Sequence, residues 1–451
     1  MVLKVEFPGG YDDEQSYLAQ CLLGDFLGLE YEIDRAAAQQ QVRIHDGVGH
    51  ELRIESDLFT RPSNTWLTLA SLPREPLAWW DASEIRAKLL NHRLPVLYGS
   101  PSFTRDDRSI RLGLDIFGGS FFFLAGLEEA VVKKCDTYDR FPVAESLSSR
   151  YGFLERPIVD EYVEVLWTCL HTLWPGLRRR RRVFRQKLTH DVDHLRFFLP
   201  RALAGDVKHR RLDLAAADIK LWLAIKSGQA ADPYDTFDRI MDISEAAGVA
   251  SAFYFITRWS NPTYDMSYVF DRRRTRALLK RINERGHEIG LHASYNAYLN
   301  RSRIAKEFGA LKRVCGAVGV TQEQWGGRQH YLRWRTPDTF QHCDDAGLDY
   351  DTTLGHADAV GFRCGTCHEF PAFNLKTGQM LRLRERPLIA MDCTVIDPDF
   401  QNLGATSAAF DCFKALKDTC RHYDGEFTLL WHNSRLVDPG EASLYCAVVN
   451  A

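Results

Sequence analysis

From Gln186 to the C-terminus the sequence keeps one rhythm, in which short apolar strands alternate with amphipathic helices. Residues 186–189 read as a strand. Asp232-Pro233 reads as an N-cap with proline at the first helical position. Tyr234, Phe237, Ile240 and Met241 then form an apolar stripe, and Gly248 closes the helix. Residues 250–257 form a dense apolar and aromatic strand. A helix over 272–285 stops at Gly286, and 287–291 is the next strand. Helices are expected over 304–314, 336–346 and 408–421, and strands before Gly327 and over 387–391 and 427–431. Such alternation over about 265 residues predicts a parallel α/β sheet or barrel. Chemistry in these folds gathers at the carboxyl ends of the strands.

The chain has 451 residues, too many for one ordinary core, so a second domain is expected. Residues 1–150 read as a smaller mixed α/β domain without catalytic spacing. It has strands at 52–56 and 94–98 and a helix at 82–90, and Gly118-Gly119 turns into a buried strand through Phe121, Phe122 and Phe123. Residues 151–184 form a bridge with a helix over 157–173, followed by five consecutive arginines, Arg178 to Arg182. That run is either a solvated surface segment or an anion contact for a lipid-linked diphosphate, a sugar nucleotide or a membrane surface. The net charge of −3 excludes a general electrostatic nucleic-acid binder. The longest apolar stretch, 116–127, is too short and too glycine-rich to span a membrane. The N-terminus lacks a signal-peptide pattern, so a cytoplasmic location with reduced cysteines is expected. Nothing in the sequence sets an oligomeric state.

Four polar clusters follow expected strands: Asp191 with Asp193, then His292, then Arg328-Gln329-His330-Tyr331, then His432-Asn433. Asp191 and Asp193 stand at i and i+2, so at a strand end both point to one face. A carboxylate and an imidazole suit a borderline divalent metal with open positions for water. A second carboxylate can accept a proton from that water, and a histidine can return one to a leaving group. Together these parts suit metal-assisted acyl hydrolysis.

T-H-D-V-D (189–193), G-H-E-I-G-L-H (286–292), R-Q-H-Y (328–331) and L-L-W-H (429–432) resemble, in order, the motifs of the polysaccharide deacetylase family, carbohydrate esterase family 4. The second of these is the most specific, and the resemblance covers about 185–451. It implies a distorted (β/α) barrel of about seven strands, a divalent metal, commonly zinc, and removal of N- or O-acetyl groups from amino sugars. By position, Asp191 resembles the catalytic base and Asp193 a metal ligand. His292 resembles the first metal histidine and Arg328 the arginine that orients the base. Tyr331 resembles the residue whose amide binds the oxyanion, and His432 the general acid. The second metal histidine is replaced by Asn296, with His194 or water as alternative ligands. The proline of the third motif is replaced by His330, and Asp392 is the expected partner of His432.

The implied substrate is an acetylated amino sugar, lipid- or nucleotide-linked, in surface polysaccharide biosynthesis, with peripheral membrane contact open. A glycan-binding protein without catalysis, or a hydrolase of non-sugar amides, are the alternatives. In segment 350–367, Asp351, His356, Asp358 and Arg363 either line the pocket or satisfy a structural loop. The single C-G-T-C at 364–367 reads as structural, because neither a second cysteine pair nor a redox context accompanies it.

Overall fold

The computed structural model describes residues 1–36, 40–197, 212–265 and 268–451. Strands β1 (Leu3–Pro8), β2 (Tyr31–Ala36), β3 (Gln41–His45), β4 (Glu51–Glu55), β5 (Ala78–Asp81), β6 (Arg93–Val96), β7 (Gly99–Arg105) and β8 (Ser109–Leu114) build two sheets. One runs β2-β1-β3-β4-β8-β7, and β5 pairs with β6 in the other. In β3 and β4 every second side chain is buried, as expected for strands with one face on a core.

Two local expectations fail here. The run through Phe121–Phe123 is not a strand but a helix, Ile116–Leu124, buried along its whole length. Asp115 caps it by accepting from the Gly118 amide at 2.7 Å. An apolar run without polar punctuation shows no period, so strand and buried helix look alike in sequence. Gly119 belongs to the packing of this helix, since a Cβ there would stand 2.6 Å from the Tyr162 ring on helix Ile158–Leu173. The helix expected at 82–90 shrinks to one turn, Ser83–Ile85.

Strands β9 (Arg185–Val192), β10 (Ser251–Phe255), β11 (Glu288–Ala293), β12 (Gly326–Gln329), β13 (Tyr350–Asp351), β14 (Phe370–Asn374), β15 (Gln379–Glu385), β16 (Ala390–Met391) and β17 (Glu426–Leu430) follow. Their sheet has the order β14-β15-β13-β12-β11-β10-β9-β17-β16. It is a curled, half-barrel sheet of nine described strands, where a distorted barrel of about seven was expected. Strands β9 to β12 are parallel neighbours. Helices Phe237–Ala246, Arg273–Glu284 and Arg301–Ala317 lie between them in sequence. Helix Arg273–Glu284 buries Thr275, Leu278, Leu279 and Ile282, one stripe at helical spacing. The helix expected from Pro233 begins only at Phe237. The Asp232 carboxylate instead accepts from the amides of Tyr234 at 3.0 Å and Phe197 at 2.9 Å, which holds this segment in a turn.

The chain divides into two compact units that interleave in sequence. The first comprises Met1–Arg185, Leu332–Ala390 and Ala415–Thr428, and the second Gln186–Tyr331, Met391–Lys414 and Leu429–Ala451. Residues 185–451, read as one barrel, thus contribute to both. Among the described residues, no helix is long and apolar enough to cross a membrane.

Candidate active site

All the polar clusters that follow strands in the motifs fall in the second unit. On β9, Thr189 and Asp191 share one face, and Asp193 continues it just past the strand. His190 faces the other way into the core. Its Nδ1 donates to the Trp431 carbonyl at 2.7 Å, and its Nε2 lies 3.1 Å from Ser251 Oγ. Burial pushes this imidazole down to about 4, so it is a neutral structural group. Trp431 N–H donates to the Thr189 carbonyl at 2.9 Å, which sets His432 beside the end of β9.

Register brings the next groups into line. His292 on β11 is paired with Arg328 on β12, and Tyr254 on β10 with Asp191 on β9. Arg328 is fully buried. Its guanidinium donates to Asp191 Oδ1 at 2.9 Å and to Thr189 Oγ1 at 3.0 Å, and it rests over the Tyr254 ring at 5.1 Å. The second glycine of G-H-E-I-G makes room for that ring. A Cβ on Gly290 would meet Tyr254 Cδ1 at 2.4 Å and the Gly326 carbonyl at 2.6 Å.

Three potential ligand atoms converge here. His292 Nε2 and His330 Nε2 each stand 3.5 Å from Asp193 Oδ1. Both histidines have their tautomers set by the other nitrogen. His292 Nδ1 donates to the Arg328 carbonyl at 3.0 Å, and His330 Nδ1 donates to Asp265 Oδ1 at 3.0 Å. Each Nε2 therefore presents a lone pair, and Asp193 Oδ1 is buried with no well-formed hydrogen bond. Tetrahedral zinc with bonds of about 2.1 Å spaces its ligand atoms by ~3.4 Å. The residues present fit such an ion. Asp265 is itself over-determined, accepting from Tyr295 N at 2.7 Å, Asn261 N at 2.7 Å and Ser260 Oγ at 2.8 Å. Burial opposes its charge, but these donors and His330 outweigh it and hold the carboxyl at about 2.

A second pair flanks the cluster. His432 Nδ1 donates to Asp392 Oδ1 at 2.8 Å, and its backbone amide donates to Asp392 Oδ2 at 2.6 Å. His432 Nε2 is thereby turned to within 3.8 Å of Asp193 Oδ2. Burial disfavours the imidazolium, but the Asp392 charge outweighs this and holds His432 well above its ordinary range. Cys393 Sγ lies 3.6 Å from the already bonded Nδ1, so that nitrogen is not open to a metal ion.

The structure thus gathers Asp191, Asp193, His292, Arg328, Asp392 and His432. Tyr331 follows His330 directly, in a left-handed conformation with φ 63° that is costly for a residue with a Cβ. Its ring packs edge-on against Tyr295 and Tyr264, which stack on each other at 4.3 Å. Asn296, expected as a ligand, lies in the loop after β11. It is exposed, and its side chain donates to the Ser260 carbonyl at 3.3 Å. His194 stacks on Tyr234 at 5.2 Å. His330 and Asp265 are what the sequence reading missed. The signal was a histidine standing where the related motif has proline, in a chain that lacks the usual second histidine.

The other motif residues lie in the first unit. Arg363 forms a bidentate pair with Glu129 at 2.7 Å and donates to the Gly355 carbonyl, and Asp351 accepts from Thr353 N at 2.7 Å. His356 is buried and Asp358 is exposed. Cys364 and Cys367 are buried free thiols, and Cys367 Sγ donates to Asp160 at 3.2 Å. These contacts are those of a structural loop.

The family of unknown function DUF7033 matches residues 4–175. No curated protein matches the sequence. Among solved structures, a candidate polysaccharide deacetylase from Mycobacterium smegmatis aligns at 16% identity and TM-score 0.40, covering 59% of this chain and 83% of that one. Puue allantoinase aligns at 12% identity and TM-score 0.36, covering 60% and 84%. Agd3, a carbohydrate deacetylase, aligns at 10% identity and TM-score 0.33, covering 80% and 61%.

Proposed function

We propose that the chain is a metal-dependent amide hydrolase that removes an acetyl group from an amino sugar. The observation that carries this reading is the arrangement around Asp193. A three-ligand cluster is flanked by two separate proton-handling devices, Asp191 with Arg328 and Asp392 with His432. Binding a glycan requires neither.

Asp193, His292 and His330 would hold the cation. Once bound, a divalent ion polarises the acyl oxygen and makes water acidic enough to react near neutral pH. Arg328 engages Asp191 Oδ1, so the other oxygen, Oδ2, is the one that takes the proton from water. His432, with Nδ1 committed to Asp392, delivers a proton from Nε2 to the departing amine. The Tyr331 amide donates to the oxyanion. Tyr331 packs edge-on against His330 at 4.9 Å, and its aromatic cluster with Tyr264 and Tyr295 is the surface assigned to a sugar ring.

The test is acetate release from a panel of N-acetylated amino sugars by zinc-loaded protein, with Asp191→Asn as control. The reading expects turnover in the wild type only. A metal-loaded wild type that matches Asp191→Asn across the panel would sink it.

A further inference from the structure

The arginine run is fastened down, not a loose solvated segment. Gly28 adopts φ 68°, and a Cβ there would stand 2.6 Å from the Arg180 Cβ, so the run lies tight against this turn. Arg180 N–H donates to the Leu27 carbonyl at 2.6 Å. The side chains of Arg180 and Arg182 both donate to the Asp25 carbonyl, at 3.0 and 2.6 Å. These residues wall a cavity of about 440 Å³ lined wholly by the first unit, with Arg179, Arg180, Arg181, Arg182, His368 and Tyr423 around it.

The charges of this cavity do not cancel. Each of its carboxylates already has a partner, and only one of them takes up an arginine of the run. Glu164 pairs with Arg179 at 2.6 Å, and Asp424 pairs with Lys88 at 3.0 Å. Asp160 accepts from Thr366 Oγ1, Cys367 N and Cys367 Sγ. Asp160, Cys367 and His368 could in principle hold a metal ion. That use is disfavoured, because both Asp160 oxygens are taken and burial keeps the Cys367 thiol protonated. Arg180, Arg181 and Arg182 form no ion pair among the described residues, and Arg182 Nε is buried without a hydrogen-bond partner. Adjacent guanidinium groups around a concave site are the usual means of holding phosphate oxygens.

We propose that this cavity binds a ligand carrying a diphosphate group. The site is independent of the hydrolytic chemistry above. A diphosphate could come from a soluble nucleotide or from a lipid headgroup, and the experiment separates them.

The test is isothermal titration of the full chain with inorganic pyrophosphate, followed by competition with UDP and with a short polyprenyl diphosphate in detergent. Saturable pyrophosphate binding is expected. It should weaken at least tenfold in Arg180→Gln/Arg181→Gln but stay unchanged in Arg273→Gln/Arg274→Gln, which removes the same charge from exposed positions of a helix. Arg181→Gln alone, at an exposed position, serves if the double variant misfolds. Displacement by either organic diphosphate supports the proposal and names the source. Absent pyrophosphate binding, equal weakening in the Arg273/Arg274 control, or displacement by neither compound overturns it.

Discussion

His330 donates its Nδ1 proton to Asp265 at 3.0 Å, and this one bond turns Nε2 toward Asp193. A carboxylate behind a ligating histidine sets the tautomer and raises its basicity. Asp265→Asn keeps the shape and removes the charge. Zinc affinity, read by competition with a chromophoric chelator, should fall roughly 10- to 100-fold. Unchanged affinity would show that Asp265 serves only the loop amides of Asn261 and Tyr295.

His330 and Asn296 compete for one role, and paired variants separate them. His330→Ala should lose stoichiometric zinc after dialysis, while Asn296→Ala should retain it. The opposite pattern would return the third ligand to Asn296.

Asp191 is assigned to the proton rather than to the metal. Asp191→Asn should keep its zinc, measured by elemental analysis, while turnover falls by about 10²- to 10⁴-fold. Loss of metal in step with turnover would make Asp191 a ligand.

Arg328 is fully buried against Asp191. Arg328→Met leaves that carboxylate buried without its cation, which costs about 3–5 kcal/mol in comparable pairs. Denaturant unfolding should show a loss of this order. A change within experimental error would mean that water or Thr189 takes over the arginine's part.

Glu128 in the first unit gives a pH signature of its own. Burial, opposed by the Leu147 amide that it accepts at 2.9 Å, pushes its carboxyl up to about 8. The unfolded value is about 4.3. The folded state therefore holds a proton that the unfolded state has lost, so this stability is complete below the unfolded value and disappears as pH rises toward 8. Glu128→Gln keeps the acceptor and removes the titration. Between pH 5 and 7 the variant should gain on the wild type by about 1.4 kcal/mol per pH unit, measured by urea unfolding. A difference independent of pH would place the folded-state value near the unfolded one.

Local signals carried much of this molecule. Period-two burial in β4, the apolar stripe of helix Arg273–Glu284 and the glycine after it are legible because they depend on residues a few positions apart. The same holds for Asp191 and Asp193 sharing a face, and for His292, Arg328 and His432 lying at or just past strand ends. Where local signals were ambiguous, burial decided. Ile116–Leu124 is buried along its whole length, so no periodicity could announce its helix. The grouping of His330 with Asp193 and His292 was also beyond local reading. Asp265 and His330 are 65 residues apart, and only the pairing of β10, β11 and β12 brings the loop after one to the end of another. The sequence by itself determined which residue types reach the carboxyl edge of the sheet. The tertiary structure decided which of them meet, because a ligand set is a matter of distances between strand ends, and spacing along the chain does not encode those distances.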